Sequence, residues 1–319
     1  MTRYRHALPQ LDGSLFLTDG GIETTLIFLE GQELPLFAAF HLLQTADGTA
    51  ALRKYFRTYA DLARRLGLGV ILETPTWRAN PDWASQLGYT PDALAEANRQ
   101  AVRLLEDVRA EYETPRSPIV LSGCIGPRGD GYVPSSAMTA EEAEAYHAVQ
   151  VAEFAREGAD LVTAITMNYV EEATGVARAA RRAGMPVVIS FTVETDGRLP
   201  TGQALGDAIT AVDGATDAYP AYYMINCAHP THFDHGLRGD EPWAARIRGL
   251  RANASRMSHA ELNEAPALDA GDPATLGREY AALRARQLRH LNVMGGCCGT
   301  DDRHVEAIAE ACLPGFRGA

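Results

Sequence analysis

The order of apolar runs and helical runs is the feature of this sequence that most constrains its fold. Short apolar segments repeatedly end in a turn rich in Gly, Pro or Asn, and a stretch with helical spacing then follows. Strands that alternate with helices form βαβ units, whose strands lie parallel in one sheet. Seven or eight such units in 319 residues fit one (β/α)8 barrel better than a doubly wound sheet. The sequence therefore predicts an α/β fold, a TIM barrel, with one domain over residues 1–319.

The individual elements follow from the same pattern. Predicted strands cover residues 14–18, 70–73, 119–122, 161–167, 187–193, 222–226, 250–252 and 291–294. Predicted helices cover residues 91–113, 140–156, 171–183, 243–250 and 276–290, and a last helix begins after Asp301 or Asp302 and ends at Cys312.

The charge balance excludes two classes of partner. The chain has 29 Lys and Arg against 41 Asp and Glu, a net charge of −12, which disfavours binding to nucleic acid or to an anionic membrane surface. The sequence has no apolar signal-peptide core near its start and no apolar run long enough to span a membrane. Five cysteines, an odd number, do not suggest a disulfide framework. We therefore expect a cytoplasmic protein with free thiols.

Three cysteines that follow predicted strands are candidate metal ligands. Cys227 follows the sixth strand, and Cys297 and Cys298 follow the last. The carboxyl ends of barrel strands face one mouth, so these thiols can meet although about 70 residues separate them. Three thiolates suit Zn²⁺ and leave its fourth position open, as in catalytic zinc sites. The alternatives are a disulfide between the adjacent pair, or buried thiols without a function.

A histidine-rich loop directly after Cys227 is a second candidate. It could hold a metal ion by itself, support the thiolate site from outside, or be a solvated polar loop. A metal-dependent hydrolase is the functional alternative that this loop would imply. Its candidate ligands are His229, His232, Asp234 and His235.

Other residues at strand ends are candidates for the wall of a site. Asp19 and Glu73 either bind a cationic group, such as a substrate ammonium, or are held by backbone N–H groups. Cys124 either lines the mouth or is a core thiol, and Cys312 lies in the last helix. The aromatic residues near the mouth could receive an onium group or simply pack in the core; they are Trp77, Trp83 and Tyr132.

These motifs, taken in order along the chain, resemble the homocysteine S-methyltransferase family. The most specific element is Gly-Gly-Cys-Cys-Gly at residues 295–299, with the upstream pair Asn226-Cys227. The Asp-Gly-Gly motif at residues 19–21 and the segments at residues 73–76 and 123–127 also resemble family motifs. The resemblance covers nearly the whole chain.

The resemblance implies a zinc-dependent barrel in which Cys227, Cys297 and Cys298 bind the metal. It also implies that Asp19 and the backbone of Gly20 and Gly21 hold the amino acid part of homocysteine. The remaining predicted site residues come from the matching motifs and their neighbours; they are Glu23, Glu73, Thr74 and Asn226 as substrate contacts, and Trp77 and Cys124 as wall residues. The substrate thiolate on zinc is the nucleophile, and no separate protein nucleophile is expected.

The chain departs from the family pattern at the acceptor site. Relatives often carry a Glu at the end of the fourth strand that binds the substrate ammonium, but here that stretch includes Ile165 and Asn168. We hypothesise that Glu23 or Glu73 replaces it. Arg78 also stands where some relatives have an aromatic ligand to resting zinc. A different thiol acceptor within the same family is therefore the second functional alternative.

The length of the chain bears on the methyl donor. A chain of 319 residues is too short for the folate and cobalamin modules of a full methionine synthase. A small donor of the S-methylmethionine, S-adenosylmethionine or betaine type is expected, unless a partner protein delivers the methyl group.

Overall fold

Eight parallel strands close into a barrel in the order in which they occur along the chain. The computed structural model describes residues 2–134, 137–265 and 267–316. Each strand pairs with the next, and the last strand closes the ring by pairing with the first. The (β/α)8 prediction is therefore confirmed. The strands are β1 (Phe16–Leu17), β2 (Gly69–Glu73), β3 (Ile119–Ile125), β4 (Leu161–Met167), β5 (Val187–Thr192), β6 (Tyr222–Asn226), β7 (Ile247–Ala252) and β8 (Val293–Gly296).

Helices surround the barrel and cover its strands. Within the described ranges, no helix combines the length and the apolar character that crossing a membrane would require. The helices are α1 (Ile22–Thr24), α2 (Ala46–Leu66), α3 (Pro81–Gln86), α4 (Pro91–Tyr112), α5 (Ala140–Glu157), α6 (Val170–Arg182), α7 (Leu205–Thr216), α8 (Pro230–Phe233), α9 (His259–Glu264), α10 (Pro273–Arg286) and α11 (Asp302–Cys312).

The inside of the barrel is apolar at its lower end and polar at its upper end. Side chains alternate along each strand, so every second residue faces inward. A buried apolar cluster from the first half of the strands fills the lower end; its strand members are Phe16, Ile71, Val120, Leu161, Val188, Tyr222, Met224 and Val293. Two positions later along several strands the residues are buried and polar; they include Thr18, Glu73, Ser122, Thr163, Ser190 and Asn226. The fold thus places polar chemistry at the carboxyl ends of the strands.

One predicted element is wrong. Residues 243–250 do not form a helix, because a short 3₁₀ turn at Ala244–Arg246 leads directly into β7. Charged residues interrupt the apolar run of this strand and hide its period in the sequence. Arg251 is the important one, since it lies inside the barrel among carboxylates.

Candidate metal centre and substrate cleft

The three candidate cysteines meet at the mouth of the barrel. Their sulfur atoms all lie within 4.8 Å of one another. The Cys227 backbone donates to the Arg251 carbonyl over 3.1 Å, and the Cys297 backbone donates to the Ala252 carbonyl over 2.8 Å. Strand β7 therefore holds both cysteine loops, from β6 on one side and from β8 on the other.

The backbone of Cys227 has a strained conformation, and neighbouring side chains hold it in place. Its φ is 54°, in the left-handed region that non-glycine residues rarely adopt. The Asn253 amide donates to the Cys227 carbonyl over 3.0 Å, and His259 Nε2 lies 2.5 Å from the same oxygen. These contacts hold a conformation that turns the sulfur atom toward the Cys297-Cys298 pair.

The sulfur cluster fits a tetrahedral zinc ion. Zinc–sulfur bonds of about 2.3 Å place neighbouring sulfur ligands of a tetrahedral ion about 3.8 Å apart. The separations in this cluster, all up to 4.8 Å, need only a small contraction to reach that value. Cys297 and Cys298 are partly exposed to the cleft, so a fourth ligand could reach the ion from that side.

Hydrogen bonds among the three thiols shift their pKa values in opposite directions. Hydrogen bonds from Cys297 and Cys298 lower the pKa of Cys227 well below its ordinary value. The hydrogen bond to Cys227 in turn raises the pKa of Cys297 and of Cys298. Three sulfur atoms held this close together form a site for a soft cation.

The Asp-Gly-Gly turn packs against the cysteine loop so closely that it requires glycine. A Cβ atom added to Gly21 would lie 2.5 Å from the Cys297 carbonyl oxygen, and one added to Gly295 would lie 1.9 Å from Thr18 Oγ1. The Gly296 backbone donates to the Asp19 carbonyl over 2.9 Å. These contacts place Asp19, Gly20 and Gly21 beside the metal centre, where all three line the cleft.

A buried ion-pair cluster forms the floor of the cleft. Arg251 donates to Asp19 Oδ1 and to Glu73 Oε2, each over 2.5 Å. It also donates to the carbonyl oxygens of Gly20 and Gly296, over 3.2 and 3.1 Å. One guanidinium thus connects residues at the ends of β1, β2, β7 and β8.

This cluster contains two carboxylates but only one cation, Arg251. Burial raises the pKa of Asp19 despite its ion pair with Arg251, and burial raises the pKa of Glu73 to about 7. Burial alone would lower the pKa of Arg251, but Asp19 and Glu73 outweigh it and raise that pKa. Both carboxylates already have a protein partner, so a substrate ammonium would meet only their excess negative charge.

Glu23 is the carboxylate that this arrangement leaves accessible. It lines the cleft beside Asp19 and Cys227, and it forms no ion pair with any described residue. Burial raises the pKa of Glu23 to about 7. Of the two residues suggested as replacements for the strand-four Glu of relatives, Glu23 has the freer carboxylate.

The side chains of Thr74 and Asn226 form hydrogen bonds with other residues of the chain. Thr74 Oγ1 accepts from the Cys124 backbone over 2.9 Å and so ties the β2 loop to β3. The Asn226 amide accepts from the Thr166 backbone over 3.0 Å and donates to Thr166 Oγ1 over 2.9 Å. Thr166 has a φ of 66°, so Asn226 holds a strained residue whose hydroxyl lies 4.0 Å from Cys227 Sγ.

The wall of the cleft combines aromatic and apolar side chains. Trp77, Cys124 and Ile165 line it, and Trp77 Nε1 donates to the Ile165 carbonyl over 3.3 Å. The Tyr132 ring lies 4.1 Å from the His259 ring, beside Cys227. The cysteine cluster and this wall border the same cleft.

Sequence reasoning did not single out Arg251 or His259 as site residues. Arg251 could have been found, because a charge between Leu250 and Ala252 in a candidate barrel strand requires a buried partner. His259 lies in the segment after β7, where the sequence shows no regular pattern. Its contact with the Cys227 carbonyl depends on the folded loop.

The histidine-rich loop does not assemble a metal site within the part of the chain that the structure describes; its residues are His229, His232, Asp234 and His235. His229 Nε2 lies 3.2 Å from Glu279 Oε2. His232 Nε2 lies 2.8 Å from the Arg256 carbonyl. Asp234 and His235 are exposed and form a loose pair. This arrangement does not support the hydrolase alternative.

The family profile described as "Homocysteine S-methyltransferase" matches residues 16–312, nearly the full length of the barrel. The chain belongs to the homocysteine S-methyltransferase family. It is 26% identical to homocysteine S-methyltransferase 4 from Zea mays, over 94% of this chain and 90% of the relative. The resemblance found in the sequence motifs is thereby confirmed.

Two further relatives match only part of their own length. The chain is 27% identical to betaine–homocysteine S-methyltransferase 1 from Rattus norvegicus, over 52% of this chain and 42% of the relative. It is 34% identical to methionine synthase from Mycobacterium tuberculosis, over 43% of this chain and 11% of the relative. The chain thus corresponds to less than half of each of these two proteins.

Solved structures show the same fold. The oxidized form of the homocysteine methyltransferase MmuM from Escherichia coli superposes with a TM-score of 0.72 at 19% identity, over 97% of this chain and 99% of that one. Its metallated form superposes with a TM-score of 0.69 at 18% identity, over 96% and 98% of the two chains.

We expect Cys227→Ser, Cys297→Ser and Cys298→Ser each to weaken zinc binding by at least about 100-fold. Substitution of a residue that only supports a metal ligand costs up to about 100-fold in metal affinity, and loss of a ligand should cost at least as much. Each variant removes one of three converging sulfur atoms. Competition with a chromogenic chelator measures the affinity. The matched control is Cys124→Ala, which removes a cleft thiol outside the cluster and should leave zinc binding unchanged. Zinc affinity that survives all three serine substitutions would contradict the assignment.

Arg251→Met should lower the free energy of unfolding by about 3–5 kcal/mol, because it leaves two buried carboxylates without their cation. Urea denaturation followed by circular dichroism measures this change. Arg57→Met is the control, since Arg57 pairs with Glu111 on the exposed surface and should cost at most about 1 kcal/mol. Equal effects of the two substitutions would show that the buried cluster does not stabilise the barrel.

Proposed function

We propose that this chain is a zinc-dependent thiol S-methyltransferase that moves a methyl group from a small activated donor to homocysteine, which gives methionine. The observation that carries the proposal is the set of three cysteine sulfur atoms within 4.8 Å of one another. They lie at the barrel mouth, in a cleft that Asp19, Gly21 and Glu23 also line. Family membership supports the same reaction class.

Zinc held by Cys227, Cys297 and Cys298 would lower the pKa of an acceptor thiol at its fourth position and so make the sulfur nucleophilic at neutral pH. The acceptor sulfur then uses its electron pair to form the new carbon–sulfur bond. The bond from the methyl carbon to the onium atom breaks, and its electron pair stays on the donor as a neutral amine or thioether. The thiol proton leaves to solvent.

The residues of the chain bind and orient the acceptor in this proposal. Glu23 accepts the substrate ammonium, because its carboxylate is free of ion pairs among the described residues. Asp19 and Glu73 add negative charge around that position while Arg251 holds them in place. The turn at Gly20 and Gly21 brings the backbone close to the substrate. Alignment of the two reactants supplies much of the remaining rate enhancement.

The proposal includes a reducing compartment such as the cytoplasm. All five cysteines are free thiols, although three of them lie close together. An oxidising compartment would favour disulfides within this cluster and would remove the metal ligands.

A second candidate is transfer to a different thiol by the same metal centre. Ile165 on the cleft wall favours it, because an apolar side chain cannot bind an ammonium group. Arg251 favours it as well, because its cation already pairs with both strand-end carboxylates, Asp19 and Glu73. Neither carboxylate is then free to pair with a substrate ammonium.

A methylation screen of zinc-loaded protein, with mass spectrometric detection, tests the proposal. Donors of the sulfonium and ammonium types are combined with homocysteine, cysteine and simple thiols as acceptors. Methionine formation from homocysteine is the expected result. Methylation of another thiol in preference to homocysteine would support the second candidate, and no transfer in any combination would refute both.

Glu23→Gln should raise the KM for homocysteine by about 10- to 100-fold, the effect expected from loss of one charged hydrogen bond. The KM for 4-mercaptobutanoate, which is homocysteine without its amino group, should not change. Steady-state kinetics with both acceptors measure the two values. Glu33→Gln removes an exposed carboxylate that does not line the cleft and serves as the control. An equal change in KM for both acceptors would exclude Glu23 as the ammonium-binding residue.

A further inference from the structure

A second, outer cleft adjoins the metal centre. It has a volume of about 610 Å³, and it shares Trp77, Tyr132 and Cys298 with the inner cleft. A molecule in the outer cleft could therefore bring one end to the sulfur cluster while its other end contacts the outer wall. This is the geometry that a methyl donor requires.

Arg78 is a cation in this outer cleft that the proposed acceptor site does not use. Its guanidinium carbon lies 3.7 Å from the centre of the Trp83 ring and 4.8 Å from that of the Trp77 ring. These contacts cover the guanidinium faces and fix its orientation. Its terminal N–H groups form no hydrogen bond with the described residues, so a planar anion in the cleft could accept from them.

The donors of Arg78 have no partner among the described residues. Its Nε atom is buried without a hydrogen bond, and the guanidinium forms no ion pair. A charged donor that is partly removed from water without an acceptor costs free energy. A ligand that supplies a carboxylate would recover that cost through two parallel hydrogen bonds.

The acidic residues of the same cleft are engaged elsewhere. Asp130 accepts from the Tyr132 and Val133 backbones, over 2.8 and 3.0 Å. Asp269 accepts from Ser255 Oγ over 2.6 Å, and Glu194 lies 3.3 Å from His259 Nδ1. These three carboxylates line the cleft without pairing with Arg78, so they favour a ligand that also carries positive charge.

Aromatic rings supply the contacts for that positive charge. The outer cleft is lined by Phe28, Phe37, Trp77 and Tyr132. Phe28 is 53% exposed, so its ring is free to contact a ligand. Onium groups bind aromatic faces through cation–π attraction.

We propose that Arg78 is a specificity-determining residue that binds the carboxylate of the methyl donor. The proposal rests on the proposed methyl-transfer function and assigns one residue of this chain to the donor side of the site. A phosphate-bearing donor fits less well, because its two negative charges would face three cleft carboxylates. The onium end lies toward Cys298, and the carboxylate end lies at Arg78.

Matched binding probes test this assignment without requiring turnover. Glycine betaine is compared with ethyltrimethylammonium, and S-methylmethionine with (3-aminopropyl)dimethylsulfonium, so each pair differs only by the carboxylate or its replacement. Titration calorimetry on the zinc-loaded full chain measures the affinities. The wild-type protein should bind the carboxylate member of at least one pair about 10- to 100-fold more tightly.

Arg78→Gln should remove that preference and leave the affinity for the carboxylate-free probe unchanged. Arg78→Lys, which keeps the charge but loses the bidentate geometry, should retain part of it. Arg64→Gln is the matched control, because Arg64 also stacks on an aromatic ring, that of Tyr112, but lies outside both clefts. Its carboxylate preference should equal that of the wild type, and thermal denaturation checks that every variant is folded.

Absence of a carboxylate preference in the wild-type protein, or an equal preference in folded Arg78→Gln, would overturn the assignment. Failure of the methyl-transfer proposal gives a different result. In that case the carboxylate preference depends on Arg78, but no donor of either kind methylates any thiol. The two proposals can therefore fail separately.

Discussion

The ion pairs of Arg251 connect the parts of the barrel mouth on which the site depends. Its guanidinium contacts Asp19 after β1, Glu73 at the end of β2 and the Gly296 carbonyl at the end of β8. The same residue accepts the backbone N–H of Cys227 at its own carbonyl. A buried cation is stable only with such partners, and the partners in turn are held in position by the cation. The cysteine loops and the Asp-Gly-Gly turn are therefore built around one side chain.

Ring closure is what makes this arrangement possible. β1 consists of only two residues, Phe16–Leu17, yet it pairs with both β2 and β8. This pairing brings the first strand beside the last and sets the Asp-Gly-Gly turn against the Gly-Gly-Cys-Cys loop. The inner cleft lies on this floor, and the outer cleft opens beyond Trp77 and Tyr132. In the proposed function, the acceptor occupies the inner cleft and the donor the outer one, so the two reach the cysteine cluster from different sides.

The sequence predicted the barrel and the convergence of the three cysteines because both depend on local pattern and strand direction. Parallel strands all end at the same mouth, so Cys227 and Cys297 were expected to converge before any distance was known. Strand β7 was predicted poorly because its charged residue, Arg251, is compensated by residues more than 170 positions earlier in the chain. The sequence could not assign the roles of Asp19 and Glu73 either, because both pair with Arg251. The histidine loop looked like a metal site in sequence, but its side chains point to separate partners in the fold.

The number of sulfur ligands around bound zinc tests the central claim most directly. X-ray absorption at the zinc edge of the loaded protein should show three sulfur ligands without an acceptor, from Cys227, Cys297 and Cys298. Addition of homocysteine should raise the count to four, as its thiol takes the open position. A count that stays at three with saturating homocysteine, or a ligand set dominated by nitrogen, would contradict the account.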